Sequence, residues 1–420
     1  MSEGRIDEAI TDHTAAVLLR YFGAAGAASV TRPSFVIDRD RELLRLHWSL
    51  SPSVMDLVDY ILIHRHEIQS VLTTARRVED GIVRGRLDAV ATLRMRRVSG
   101  HSTAIVSHEP LRSYESGPNH LLGWVIMQAW SLASRFVALA QEDSSYRARI
   151  DFTVQRLEQV RRVETIRQIG GQVSLSGRPR ANALLEAERS RRKVYHKAAK
   201  AFRALLLVEA GDPDAVTSML KETLLAPLEP WRRYELAVAY SVAEALANVQ
   251  DEQVRLGFIV GDVRIAIAQA GQFNIYWQWR TERYKAPVQE PSEEMAEAIW
   301  AAYGLSAAAD RPDLIVTDMQ TGAVIAIIEV KYLTGESAAD RIRSAANQLV
   351  RYARGYGAID EIGPLLGRSL IAVSQGIGGL KTPAFATSGI PTIVDFAGIG
   401  AKALLPWARR LLPDSSPSAL

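Results

Sequence analysis

The sequence contains no cysteine, which excludes disulfides, thiolate zinc sites and cysteine nucleophiles and fits a reducing compartment. Histidine is confined to one side of the chain, for all eight residues, ending with His196, precede position 200. The C-terminal half therefore cannot use a histidine general base or a histidine-held metal. No apolar run approaches the roughly 20 residues that a membrane span requires. The opening MSEGRIDEAITDH lacks the apolar core of a signal peptide, so the expectation is a cytoplasmic protein with no membrane partner. A phosphate loop is also missing: Gly376-Ile377-Gly378-Gly379-Leu380-Lys381-Thr382 has the wrong spacing, and the chain should not hydrolyse nucleoside triphosphates by itself. Neither sign of charge dominates, since 50 Lys and Arg against 47 Asp and Glu leave +3. Local distribution then matters more than the sum.

What is present is core material, 48% of 420 residues being hydrophobic, enough for two or three domains. Residues 1–115 read as a small mixed α/β domain with candidate strands at 34–37, 43–48 and 102–107. Residues 116–270 read as helical, with breaks at Gly170-Gly171, Gly177-Arg178-Pro179, Gly211-Asp212-Pro213 and Leu228-Glu229-Pro230. Residues 271–412 form a third domain, and 413–420 read as a disordered tail. Arginines crowd the first domain, Arg84 and Arg86 among them, and arginines on strands can grip phosphates. A solvated strand face explains them equally well. A basic helix over 181–207 carries Arg191, Arg192, Lys193 and Lys197 and can lie along a phosphate backbone, though basic faces of helices are also commonly just solvated.

The chemistry concentrates in residues 311–352. Two short apolar runs, 314–316 and 323–328, are joined by Asp318-Met319-Gln320-Thr321-Gly322, the pattern of a hairpin with a glycine-containing turn. If Asp318 faces Ala323, Asp313 falls opposite Ile328, next to Glu329. Alternation along a strand points Glu329 and Lys331 to one face and Val330 to the other. Asp313, Glu329 and Lys331 can then converge. Two carboxylates are hard ligands suited to Mg²⁺, or Mn²⁺, on a phosphate, and Lys331 can orient or help deprotonate a water. Residues 337–354 are helical in pattern and place Gln348 and Tyr352 four apart on one face. The plain alternative, an exposed Glu-x-Lys pair behind a turn aspartate, fits poorly with apolar runs this strong.

Pro312-Asp313, Glu329-Val330-Lys331 and Gln348-Leu349-Val350-Arg351-Tyr352 together resemble the PD-(D/E)XK nuclease superfamily, and the Gln-x-x-x-Tyr element resembles its RecB-like branch, over roughly residues 290–398. Segments 85–92, 114–120 and 191–207 resemble the N-terminal region of McrC-type restriction nuclease subunits more faintly. In that family a Glu commonly follows an aromatic in a helix before the Asp. The matching stretch here, 273–279, has Trp277 where the acid would be. The resemblance therefore directs the search for a third metal-site acid to Glu293, Glu294 or Glu297, of which Glu297 is assigned. Behind an N-cap at Ser292 these acids also suit a helix dipole.

The expectation is a multidomain α+β protein ending in an α/β PD-(D/E)XK nuclease domain, in which Asp313, Glu329, Lys331, Gln348 and Tyr352 form the site. What the resemblance implies is a Mg²⁺-dependent DNA endonuclease subunit of a prokaryotic restriction or antiphage system, gated by a partner such as an AAA+ NTPase or a sensor. A non-catalytic subunit that clamps DNA, or a repair or transposition nuclease, is the alternative.

Overall fold

The computed structural model describes residues 3–28, 37–139, 145–173, 177–226, 228–256, 266–285, 302, 311–333, 337–357, 359–375 and 389–412. The helices, in chain order, are α1 Glu3–Ala28, α2 Ile37–Ser49, α3 Pro52–His64, α4 Ala89–Ser99, α5 Gly117–Leu139, α6 Ser145–Arg161, α7 Glu164–Gly170, α8 Ala181–Arg189, α9 Lys193–Glu209, α10 Pro213–Leu220, α11 Pro230–Gln250, α12 Ala338–Tyr356, α13 Ile359–Arg368 and α14 Ala401–Arg409. The strands are β1 Val71–Asp80, β2 Arg86–Leu87, β3 Ala104–Ser113, β4 Val254–Leu256, β5 Ala268–Ala270, β6 Phe273–Trp277, β7 Leu314–Asp318, β8 Val324–Lys331, β9 Leu370–Val373 and β10 Thr392–Asp395. Among the described residues no helix is long and apolar enough to cross a membrane.

The chain divides into two compact units, one of residues 1–43, 139–147 and 213–420, the other of residues 44–138 and 148–212. These limits differ from the boundaries at 115/116 and 270/271 that composition suggests. The reason is burial: from Tyr234 to Ala247, α11 is enclosed almost all round, and it packs on β5, β6 and β8. A helix without a polar face belongs inside a unit rather than in a connecting helical domain. The apolar stripe of α1, with Ile6, Ile10 and Leu18 buried, packs on α11 in the same unit.

That first unit is built on a seven-stranded sheet ordered β10-β9-β8-β7-β6-β5-β4. β4 to β8 are antiparallel neighbours, while β9 and β10 run parallel to β8. A parallel return from β8 to β9 needs a crossover, which α12 and α13 provide. Ser337 starts α12 as its N-cap, accepting from the Asp340 amide at 3.2 Å. The buried side of α12, Ala345, Leu349, Tyr352 and Ala353, packs with Ile327, Ile371 and Val373 of the sheet. β7 and β8 form the expected hairpin: the Asp318 carboxylate accepts from the amides of Gln320 and Thr321, and Gly322 takes φ 66°, a conformation that glycine adopts without cost.

The second unit has a three-stranded antiparallel sheet, β1-β3-β2, with α4 packed on β3. The candidate strand at 43–48 is instead part of α2: Leu44, Leu46, His47 and Trp48 are all buried, and Trp48 Nε1 donates to the Ala201 carbonyl at 2.8 Å. Leu44-Arg45-Leu46-His47-Trp48 alternates apolar and polar residues as a half-buried strand does, and here tertiary burial selects helix. The candidate strand at 34–37 and the tail at 413–420 lie outside the described residues.

One hydrogen bond registers α11 on the sheet. Tyr234 Oη, fully buried, donates to the Val373 carbonyl at 2.6 Å. Tyr234→Phe should leave that carbonyl short of a partner and cost about 1–3 kcal/mol. Urea unfolding should show this as a lower midpoint with an unchanged slope.

Candidate functional site

The hairpin does not keep one register. Thr317 pairs with Val324, but beyond a bulge Val316 pairs with Ala326 and Leu314 with Ile328. The inserted residue moves Asp313 one position along, from Ile328 to the level of Glu329. The Val330 amide then donates to Asp313 Oδ2 at 2.7 Å. Lys331 Nζ donates to Glu329 Oε1 at 2.5 Å and lies 3.9 Å from Asp313 Oδ2. Val330 is buried on the opposite side, as alternation requires. The three residues that the sequence singled out do converge.

Their surroundings are dry for charged groups: Glu329 is 1% exposed, and the side chains of Asp313 and Lys331 are 19% and 14% exposed. Burial, then the like charge of Asp313, hold the Glu329 carboxyl well above the usual carboxylate range. Burial also raises Asp313, against the opposing pull of Lys331 and the Val330 amide. Asp313, just before β7, and Glu329, on β8, therefore share one ammonium, and the two carboxyls also meet each other in a hydrogen bond.

A further acid comes from a place the sequence reading missed. Glu235 on α11 is 3% exposed, and its carboxyl is pushed up to about 8 by burial and by the like charge of Asp313. Its Oε2 accepts from Trp277 Nε1 at 2.5 Å and from Gln278 Nε2 at 2.7 Å. Tyr234-Glu235 on α11 is an aromatic residue followed by an acid within a helix. Phe273–Trp277 is strand β6, so no helix acid could sit there. The usable signal was a lone carboxylate in an otherwise uncharged apolar stretch, 234–243. Glu293, Glu294 and Glu297 lie outside the described residues.

The helix pair divides its roles. Tyr352 is buried in the α12 core, and its Oη donates to the Arg311 carbonyl at 3.1 Å, tethering the segment that leads into Asp313. Gln348, one turn earlier, has a buried Oε1 with no hydrogen-bond partner.

The candidate DNA contacts belong to the second unit. The single helix expected over 181–207 is two helices, α8 and α9, broken at Ser190, whose backbone is extended. Arg191, Arg192 and Lys193 are exposed at that break. Lys197 is already engaged, bonded to Asp56 Oδ2 at 2.5 Å. Arg84 pairs with Glu79 at 3.2 Å, and Arg86 is exposed on β2.

The donor set has the chemistry of a hard divalent cation's ligands: oxygen atoms only, and three carboxyl groups against one ammonium. Among the described residues no group of three or more His, Asp or Glu side chains is placed so as to hold a metal ion. Lys331 supplies the balancing charge in this arrangement.

These shifts set a pH dependence. A folded carboxyl with a raised pKa keeps its proton where the unfolded chain has lost it, so its share of stability is full in acid and lost as pH rises. Without divalent cations, Glu235 should cost the protein stability as pH rises from about 5 to about 8. Glu235→Gln should flatten that slope, as denaturant titrations across the range would read.

No family model matches the chain, and no curated protein matches it. A structural likeness is found to a chain of the refined half-complex from the tetradecameric assembly of Thermococcus gammatolerans McrB AAA+ hexamers with bound McrC, at 12% identity and a TM-score of 0.24. It covers 84% of this chain, which spans 64% of that one. A likeness at that score carries no argument about fold or activity.

Proposed function

We propose that the chain is a metal-dependent DNA endonuclease of the PD-(D/E)XK type, acting as the nuclease subunit of a restriction or antiphage system. The observation that carries this reading is the buried group of Asp313, just before β7, with Glu329 and Lys331 at the end of β8. A fold gains little stability from enclosing two like charges. Groups with strongly perturbed ionisation gathered at one place are more typical of chemistry than of packing.

Asp313 and Glu329, with Glu235 behind them, would hold Mg²⁺ or Mn²⁺, an ion that neutralises charge on a phosphate and on the water attacking it. Lys331 holds its ammonium against both carboxylates, where it can orient an attacking water and offset negative charge as the phosphodiester is cleaved. Tyr352 keeps the strand leading to Asp313 in place, and Gln348 offers an amide for a water or a phosphate oxygen. Arg191, Arg192, Lys193, Arg84 and Arg86 are assigned to backbone phosphates, which position DNA without reading its sequence. Because the sequence has no phosphate loop, energy for locating or remodelling DNA is assigned to a separate NTPase of the AAA+ type, or the trigger to a sensor.

Glu329→Ala, Asp313→Ala and Lys331→Ala should each abolish Mg²⁺-dependent cleavage of plasmid DNA, and pairing them should cost little more, because groups that act as a unit are not additive. Full cleavage by Glu329→Ala would refute the reading. DNA binding without cleavage by the unaltered chain, with Mg²⁺ and every candidate partner present, would favour a clamping subunit instead. Reversing the charge of Arg191, Arg192 and Lys193 should weaken binding alike for all DNA sequences and reduce the salt slope by about 3.

A further inference from the structure

Only two non-glycine residues among those described have positive φ, Asp251 at 52° and Gln278 at 50°. Asp251 ends α11 as a left-handed C-cap, a common place for that conformation. Gln278 caps no helix. Asparagine and aspartate can offset a left-handed backbone with short local hydrogen bonds. A glutamine there is strained and persists only where its surroundings over-determine it.

Those surroundings all lead to the candidate site. The Gln278 amide donates to the Asp313 carbonyl at 2.8 Å. Its Nε2 donates to Glu235 Oε2 at 2.7 Å, and its Oε1 accepts from the Arg311 guanidinium at 3.0 Å. Trp277 donates to the same Glu235 oxygen at 2.5 Å. Successive side chains of a regular strand point to opposite faces, so two neighbours could not otherwise converge on one atom. The left-handed turn at Gln278 makes that convergence possible.

We propose that Gln278 is a positioning residue: its left-handed turn brings Trp277 and Gln278 onto one oxygen of Glu235 and joins Glu235, Asp313 and Arg311 into a single pre-oriented unit. This rests on the metal-dependent reading above. The clamp holds Glu235 through Oε2 and leaves Oε1 outside it. The strain at position 278 is thus kept in exchange for the alignment of a buried acid. Loss of the clamp would free the Glu235 side chain to rotate away from Asp313.

The test uses the full chain, with Mn²⁺ binding followed by calorimetry, melting midpoints, and DNA cleavage. Gln278→Gly accepts the positive φ without strain but has no amide, and Gln278→Asn tolerates the φ with an amide too short to reach Glu235. Both should bind Mn²⁺ on the order of tenfold more weakly, as loss of a partner that orients a ligand does, and cut with lower kcat at unchanged KM for DNA. Trp277→Phe should act in the same direction, and combining it with Gln278→Gly should add little. Wild-type Mn²⁺ affinity and kcat in both Gln278 variants would overturn the proposal, even if their melting midpoints fall, because Gln278 would then be a structural residue only. If the unaltered chain neither binds Mn²⁺ nor cuts DNA, the metal-dependent reading fails and this inference falls with it. If it does both and only Glu329→Ala is impaired, that reading stands and the role of Gln278 does not.

Discussion

The first unit is arranged around the enclosure of carboxyl groups that repel one another. Glu329 and Glu235 each meet the like charge of Asp313, and burial raises all three. Lys331, bonded to Glu329, is the strong local compensation. Separated and exposed, the same acids would ionise freely. Keeping them together must draw on packing elsewhere, since even a paired buried charge returns little of its desolvation cost.

That packing is supplied by both layers that touch the sheet. The largely apolar α11 is registered by Tyr234 on the Val373 carbonyl, and Val373 is the β9 partner of Lys331. One residue on, Glu235 is delivered to the group. On the other element, α12 inserts Leu349 and Tyr352 beside Ile327 and Ile371, and Tyr352 also ties down Arg311. The bulge in β8 completes the arrangement, because without the inserted residue Asp313 would pair one position short of Glu329. Core packing, strand register and the proposed chemistry are therefore one problem with one solution.

The second unit presents a different economy. Its arginines are largely exposed, and several are matched within the unit, Arg77 with Glu109 and Arg84 with Glu79. Exposed pairs of this kind contribute little to stability. Charge there is free to serve a ligand, with Arg191, Arg192 and Lys193 grouped where α8 gives way to α9.

By itself the sequence determined what depends on near neighbours in the chain. The β7–β8 hairpin follows from apolar runs flanking a glycine turn, α12 from Ser337 and its amphipathic spacing, and the pairing of Glu329 with Lys331 from strand alternation. Tertiary structure decided what depends on distance. Residues 43–48 are equally compatible with strand and helix until Trp48 finds the Ala201 carbonyl. The register at Asp313 hinges on a bulge that no composition announces. Glu235 lies 78 positions before Asp313, and although it stands out as the one charge in an apolar stretch, only the packing of α11 on the sheet brings it to the carboxyls of the hairpin. Gln278 carries no signal in its own neighbourhood, since the partners of its left-handed segment, Asp313, Glu235 and Arg311, all lie far from it in the chain. Local physics sets the elements, whereas the meeting of charges from three separate segments is set by the core that encloses them.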